Sequence, residues 1–401
     1  MAAQTFVIVG ASLAGAKAAE TLRAEGFDGR VVLIGAEPER PYERPPLSKD
    51  YLRGEADGKP YVHDEGFYGE QDIELRTSTR VEAIDAGAST VTLAGGETVA
   101  FDALLIATGA EPRRVSLPGA ERALTLRTTA DSDTIRERIE AGGRLVTIGA
   151  GWIGSEVAAS ARQKGCEVTI LEMTQVPLER VLGPELGAFY RDVHVDNGTT
   201  FIGGASVDGI EDGGVRLGDG RLIEADFVVA GVGVQPRTAL AEAAGLASDN
   251  GVLVDEHLRT SAPNIFAAGD VANVAHPFFG ERIRVEHWHN ALEQGPAAAR
   301  AMLGSTEPYD RIPYFFSDQY DVGMEYAGFA REWDRVVFRG DPASREFVAF
   351  WVAGGRVLAG MNVNVWDVTD DIQALIRSRA TVDEVKLADP DVPLGDLVQS
   401  V

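Results

Sequence analysis

The stretch Phe6–Gly15, FVIVGASLAG, constrains this chain more than any other. Phe6–Val9 is an uncharged apolar run, and a strand apolar on both faces belongs in a sheet covered on both sides, which is typically a parallel one. Gly10 allows a tight turn out of the strand, and Gly15 lets the following helix pack close to it. The first-turn N–H groups of that helix point above the turn, where the helix dipole favours an anion. The pattern is the Gly-x-Gly-x-x-Gly dinucleotide fingerprint, with Ser12 where the second glycine belongs. Serine is small enough to let a pyrophosphate approach.

The surrounding order strengthens the reading. A helix is expected over Leu13–Arg23, with Gly26 ending it, and a strand over Arg30–Ile34. Glu37 follows, 27 residues past Gly10, placed to accept hydrogen bonds from adenosine ribose hydroxyls. A second copy begins at Arg144–Ile148, with a complete Gly149-x-Gly151-x-x-Gly154 motif. A helix over Ile153–Lys164, Gly165 and a strand over Val168–Leu171 come next, then Glu172, 23 residues past Gly149. Glu172 would repel a 2′-phosphate, and Met173–Pro177 holds no arginine to receive one, which favours NAD over NADP.

Bulk properties exclude several classes. A chain of 401 residues can build two or three cored domains. A net charge of −25 argues against nucleic acid and anionic membranes, both of which require basic surfaces. No apolar run approaches a membrane span, and the first strand starts within a few residues of Met1, so a cytoplasmic protein without a signal peptide is expected. The single cysteine, Cys166, reads as a small buried packing residue. His287 and His289 could share a strand face, but His-x-His alone is poor evidence for a metal, and none is expected.

Between the two glycine motifs, Pro41–Lys49 (PYERPPLSK) reads as a stiff, non-helical loop presenting Arg44 and Lys49, two cations suited to a pyrophosphate or to negative charge on a reduced ring. Short strands are expected over Ser78–Ile84 and Thr90–Leu93. A buried strand ends at Ala107-Thr108-Gly109, where small residues let backbone lie against a ligand. The proline-bearing Ala110–Leu117 marks a boundary. Ala225–Gly233 closes the second fold. Pro263–Asp270 is read as a strand carrying Asp270 to its carboxyl end, where the acid could accept from ribityl hydroxyls, cap the next helix, or both. Arg282–Gly295 adds an aromatic and a helix start near the same site. From Ile312 strands alternate, over Val336–Arg339, Phe347–Val352 and Arg356–Met361, before a helix around Ile372–Arg379.

Both glycine loops, PYERPPLSK, the Ala-Thr-Gly strand, GVGVQP, PNIFAAGD, EHWHNALEQG and PYFFSDQYD occur in a fixed order. Together they resemble the FAD- and NADH-dependent ferredoxin reductases of bacterial oxygenase systems, over nearly the whole chain. The resemblance implies an α/β fold of two Rossmann-like, glutathione-reductase-like dinucleotide-binding domains plus a C-terminal α+β domain. It places an FAD domain at 1–110 and 237–311, an NAD domain at 111–236 and the third domain at 312–401. It implies FAD contacts at Ala14, Glu37, Arg44, Lys49, the Val81 backbone, Arg127, Asp270 and Trp288. NAD contacts are implied along the loop through Ile153 and at Glu172, and Gly233 is expected among the cofactor-binding residues. Lys49 and Glu156 match a family ion pair beside the flavin N5 and the nicotinamide. Phe316, also in the implied cofactor site, stands where the family usually carries tryptophan, which removes any argument for a tryptophan relay there.

The implied activity is that of a ferredoxin–NAD(+) reductase. NADH reduces FAD, and single electrons pass to a [2Fe-2S] ferredoxin feeding a cytochrome P450 or Rieske-type oxygenase. The alternative is an NADH-dependent FAD enzyme with a small acceptor, such as a quinone, oxygen or monodehydroascorbate. A thiol mechanism is excluded, because no cysteine stands in the early PPLSK region. A non-catalytic flavoprotein responding to NADH is disfavoured by the acidic charge. A monomer or weak homodimer is expected. Ferredoxins are usually acidic, so a basic patch is expected despite the net charge, with Arg44, Arg53, Arg282, Arg284, Arg311 and Arg339 as candidates.

Overall fold

The computed structural model describes residues 4–397. The chain divides into two compact units, one of residues 1–44, 59–111 and 234–311, the other of 45–58, 112–233 and 312–401.

The first unit is built on a five-stranded parallel sheet, ordered Ile265–Ala267, Ala103–Ile106, Thr5–Val9, Arg30–Ile34, Ile73–Arg76. Phe6–Val9 lies at its centre and is buried, as a strand apolar on both faces requires. Helix Leu13–Ala24 returns across the sheet and packs against helix Trp288–Met302. That contact is close because Gly295 has no side chain: a Cβ there would meet the Ala14 carbonyl oxygen at 2.4 Å. A three-stranded antiparallel meander, Val81–Asp85, Thr90–Leu93 and Thr98–Ala100, precedes the Ala103–Ile106 strand. The first of these strands begins at Val81, not Ser78, because Ser78 has a left-handed backbone, φ 50°.

The second unit repeats this construction. Its parallel sheet runs Thr200–Ile202, Glu167–Leu171, Arg144–Ile148, Phe227–Ala230, Ala123–Leu124. Helix Trp152–Gln163 follows the central strand, and a meander of Val207–Glu211, Gly214–Leu217 and Leu222–Glu224 again precedes a strand paired with the central one, Phe227–Ala230. Cys166 is fully buried. The same unit carries a five-stranded antiparallel sheet, ordered Tyr314–Gln319, Val322–Gly328, Arg356–Val363, Glu346–Ala353, Arg335–Asp341. Its apolar face shares one core with helix Pro184–Asp196, through Leu186, Tyr190, Val193, Phe347 and Trp351, and the Trp351 indole donates to the Leu182 carbonyl at 3.1 Å. Helix Thr369–Ser378 packs on the Arg356–Val363 and Val322–Gly328 strands.

Three local expectations change. Pro45–Ser48 is a 3-10 turn and not irregular loop, since proline's fixed φ is compatible with a helical first turn. The Pro263–Asp270 strand is shorter, Ile265–Ala267, and Asp270 sits inside a 3-10 turn, Gly269–Val271. His287 and His289 do not share a strand: His287 is the N-cap of helix Trp288–Met302, and His289 lies in its first turn. Among the described residues, no helix is long and apolar enough to cross a membrane, and no His, Cys, Asp and Glu group could hold a metal.

Candidate functional site

The two glycine turns have the same geometry. Gly10 and Gly149 have φ of +121° and +97°, a region L side chains rarely adopt, and a Cβ on either would strike a neighbouring strand-end carbonyl, 2.0 Å from Ala107 and 2.6 Å from Gly231. The third position is closed by packing, since a Cβ on Gly15 would lie 2.0 Å from the Gly10 carbonyl oxygen and one on Gly154 2.2 Å from that of Gly149. The second position is different. A Cβ on Gly151 would meet nothing nearer than the Gly231 oxygen at 3.8 Å, so the protein itself does not require glycine there. The chain's own packing therefore admits a small side chain such as Ser12 at the equivalent place.

The helix ends fit anionic cofactors. Helices Leu13–Ala24, Trp152–Gln163 and Trp288–Met302 begin with no side-chain cap and no acid in the first turn. By contrast, helix Thr129–Ala141 carries a full capping box from Thr128 and Asp131. Uncapped first-turn N–H groups are the donors a pyrophosphate would use.

In the first unit the structure gathers most of the expected FAD residues. Glu37 receives the Arg44 guanidinium at 2.9 Å and the Tyr42 hydroxyl. Burial pushes the Glu37 carboxyl up, but the Arg44 charge and these hydrogen bonds outweigh it and leave the group below its usual range. Arg44, desolvated itself, is held above its usual range by Tyr42, Glu37 and, through space, Asp270. Asp270 is anchored through its backbone, whose carbonyl accepts from Arg284, and the preceding Gly269 N–H donates to Gln294. A Cβ on Gly269 would lie 3.3 Å from that of Ala14, so Ala14 and the Asp270 turn are neighbours. Trp288 lies close to the Glu43 side chain, next to Arg44. Ala107 borders Gly10; Thr108 donates to the Arg237 carbonyl, and Gly109 accepts from the Arg237 N–H. Val81 is buried in the meander.

Lys49, Arg127 and Phe316 belong to the second unit. The Lys49 ammonium lies 2.9 Å from the Glu156 carboxylate, both groups largely buried, and 5.5 Å from the Phe316 ring centre. Glu156 projects from helix Trp152–Gln163, just past the second glycine turn, and is also hydrogen-bonded by Ser48 and Ser317. Arg127 precedes the capped helix, with its backbone N–H 3.1 Å from Asp131. Ser132 of that helix donates to the Leu47 carbonyl and so braces the segment carrying Lys49. Around the second turn, Ile153, Met173 and Val232 are exposed apolar side chains, Met173 at 66%. They can lie against a base or a nicotinamide ring. Glu172 accepts from the Ala150 N–H at 2.6 Å and from the Thr174 N–H and hydroxyl at 3.0 and 3.1 Å, so it is tied to the turn itself. Gly233 follows Val232 at φ 92°.

The basic candidates have intramolecular duties. Arg53 pairs with Glu55, Arg284 with Glu286 and Arg311 with Glu293. Arg282 donates to the Val254 and Asn273 carbonyls, and Arg339 to those of Leu387, Asp389, Pro390 and Val392. Arg339 is therefore a clamp on the C-terminal segment; the Arg311 side chain is 63% exposed.

Sequence reasoning missed Tyr42, Ser48, His194, Ser317 and Gln319. Tyr42, Ser48, Ser317 and Gln319 lie inside the motifs PYERPPLSK and PYFFSDQYD, which was the available signal. Nothing in the sequence marks His194.

A family model for pyridine nucleotide-disulphide oxidoreductases matches residues 4–295, and a reductase C-terminal model matches 314–398. The chain is 40% identical to the 5,5'-dehydrodivanillate O-demethylase ferredoxin reductase subunit of Sphingobium sp., over 98% of this chain and 97% of that one. It is 39% identical to the ferredoxin–NAD(+) reductase component of the anthranilate 1,2-dioxygenase system of Burkholderia cepacia, over 98% and 99%. Among solved structures it resembles the reductase in the covalent putidaredoxin reductase–putidaredoxin complex, with 38% identity, a TM-score of 0.95, and coverage of 100% and 99%.

Proposed function

We propose that this chain, which belongs to the pyridine nucleotide-disulphide oxidoreductase family and carries its reductase C-terminal domain, is an FAD-dependent ferredoxin–NAD(+) reductase. The single observation that carries this reading is the buried Lys49–Glu156 pair just past an uncapped dinucleotide turn, in a chain whose one cysteine is buried. Thiol chemistry has no residue to use, so electron transfer falls to the cofactors.

Bound to these residues, FAD would supply the hydride acceptor for NADH and the one-electron donor for the next carrier. The chain's own residues position and stabilise. Gly10–Gly15 and the uncapped N-terminus of helix Leu13–Ala24 hold the FAD pyrophosphate, and Glu37, aligned by Tyr42 and Arg44, receives the adenosine ribose. Gly149–Gly154 and helix Trp152–Gln163 hold the NADH pyrophosphate, with Glu172 selecting against a 2′-phosphate. The domain roles follow: residues 1–110 and 237–311 bind FAD, and 111–236 bind NADH. Lys49 supplies a fixed positive charge for negative charge on the reduced ring, and Glu156 keeps that cation in place. The electron acceptor is a [2Fe-2S] ferredoxin feeding a cytochrome P450 or Rieske-type oxygenase, and the compartment is the cytoplasm.

The test is anaerobic stopped-flow on the purified yellow protein, mixing with NADH or NADPH and then with a [2Fe-2S] ferredoxin and cytochrome c. Rapid bleaching by NADH alone, followed by ferredoxin-dependent cytochrome reduction, is the expected result. Bleaching without ferredoxin dependence across several ferredoxins would replace this reading with a small-acceptor oxidoreductase.

A further inference from the structure

Behind Glu156 the second unit holds a line of polar side chains, Thr199, Tyr320, His194, Gln319 and Ser317, of which all but the half-buried Tyr320 are buried. They come from helix Pro184–Asp196 and the segment after it, and from strand Tyr314–Gln319 and the turn after it. His194, Gln319 and Ser317 are at most 2% exposed.

Their proton inventory fixes a direction. Burial pulls the His194 imidazole down to about 4, so the ring is neutral and carries one N–H. Its Nε2 faces the Gln319 Oε1 at 3.0 Å, an atom that can only accept, so the proton is on Nε2. Its Nδ1 therefore accepts, from the Tyr320 hydroxyl at 3.2 Å, and Tyr320 in turn accepts from Thr199 at 3.0 Å. With Gln319 Oε1 occupied, its amide N–H faces Ser317 Oγ at 3.3 Å. Ser317 is left with one proton and one destination, Glu156 Oε1 at 2.7 Å. Every donor in the line points toward the carboxylate. Ser48 donates to the other oxygen, Oε2, which also meets Lys49, and Ser48 is itself fixed by its carbonyl accepting from Ser160 at 2.6 Å.

We propose that Ser317, oriented by the Gln319–His194–Tyr320 line, is a positioning residue for the reaction: it shares the charge of Glu156 and so sets how much of the Lys49 positive charge remains for the reduced cofactor. Aligned hydrogen bonds in a low-dielectric interior polarise one another, so a carboxylate ending such a line is stabilised beyond a single hydroxyl contact. Without Ser317, Glu156 keeps more negative charge opposite Lys49 and neutralises more of it. The inference rests on the reading that Lys49 lies beside FAD.

The experiment compares the FAD-bound wild type with Ser317→Ala, Ser317→Thr and Ser48→Ala. The two-electron flavin potential is read by dye equilibration, with neither NADH nor ferredoxin present. Flavin reduction by NADH is then read in single turnover. Ser317→Ala is expected to lower the reduced-to-oxidised ratio at fixed potential about tenfold, equal to about 30 mV for a two-electron couple. It is also expected to slow flavin reduction about tenfold with NADH affinity within about twofold, the size of one lost charge-assisted hydrogen bond. Ser317→Thr, which keeps the hydroxyl, should restore both to within about threefold. Ser48→Ala gives a second variant shifting the potential in the same direction, should Ser317→Ala not fold. Unchanged potential and rate in the alanine variants, with FAD held and ferredoxin turnover intact, overturns this inference alone. A purified protein that holds no FAD overturns the underlying reading with it.

Discussion

The two glycine turns begin alike and end differently. Each has a left-handed first glycine against a neighbouring strand, a third glycine packed on the first, and an uncapped helix. Past the second strand, Glu37 turns to a cation and a hydroxyl, Arg44 and Tyr42. Glu172 turns back onto its own glycine loop, through the Ala150 N–H. The charge near the first turn is therefore shared with an arginine. At the second turn the acid is held by neutral donors, the Ala150 N–H and the Thr174 N–H and hydroxyl, and the cation of that unit, Lys49, pairs with Glu156 instead. Under the proposed function, the same scaffold would hold one cofactor and discriminate the other.

The largest effects should come from closing the third-glycine contacts. Gly15→Ala and Gly154→Ala each put a methyl group within 2.2 Å of a backbone carbonyl that cannot step aside. Each should cost about 3 kcal/mol or more locally. Gly15→Ala should lose FAD on purification, read as flavin absorbance per protein. Gly154→Ala should stay yellow and bind NADH at least ~100-fold more weakly, matching that cost. Loss of flavin from Gly154→Ala would reverse the assignment of the turns.

Acid should separate the two units next. His194, neutral in the fold at a value near 4 but ordinary when unfolded, takes up a proton only on unfolding in that interval. Its contribution is complete above about pH 6.5 and is lost as pH falls to about 4, a loss of about 3 kcal/mol. Glu37 is depressed below its ordinary 4.5, so its contribution is present above that pH and lost only on further acidification. Urea unfolding followed by tryptophan fluorescence of the Trp351 core should weaken between pH 6.5 and 4.5. His194→Asn, which cannot charge, should flatten that dependence. An equal pH slope in the variant would remove His194 as its cause.

A smaller effect should follow at the second acid. Glu172→Gln with Met173→Arg removes the repulsion and adds a phosphate partner beside the turn. The NADH-over-NADPH preference, measured as a ratio of kcat/KM, should fall about 100-fold, the equivalent of about 2–3 kcal/mol. Glu37→Gln should leave that ratio unchanged while weakening FAD retention; a changed ratio would mean that the acids do not divide the work.

The smallest effect tests the departure in the first motif. The Ser12 side chain makes no capping hydrogen bond, so Ser12→Gly should alter thermal stability by only a few tenths of a kcal/mol. A larger loss would show that the hydroxyl has a partner when FAD is bound.

Much of this was legible in the sequence because it is local. A glycine at φ +97°, or one whose Cβ would touch its own turn, admits almost no substitute, so Gly10, Gly15, Gly149 and Gly154 appear as a spaced pattern. The proline segment was legible as rigid, but its 3-10 turn and its passage from one unit to the other at Arg44–Pro45 were not. Among the basic candidates Arg339 misled, because an arginine that clamps carbonyls looks the same in a sequence as one that faces a partner.

By itself the sequence determined two dinucleotide folds in order, their acids and the absence of a usable thiol, since each depends on residues close in the chain or on a count. Only the tertiary structure decided what surrounds Glu156. Ser48 lies 108 residues away in sequence and Ser317 161, and His194 reaches the carboxylate only through Gln319 and Ser317. No periodicity or spacing records such a meeting, because hydroxyls and an imidazole acquire direction only when burial leaves each proton a single place to go.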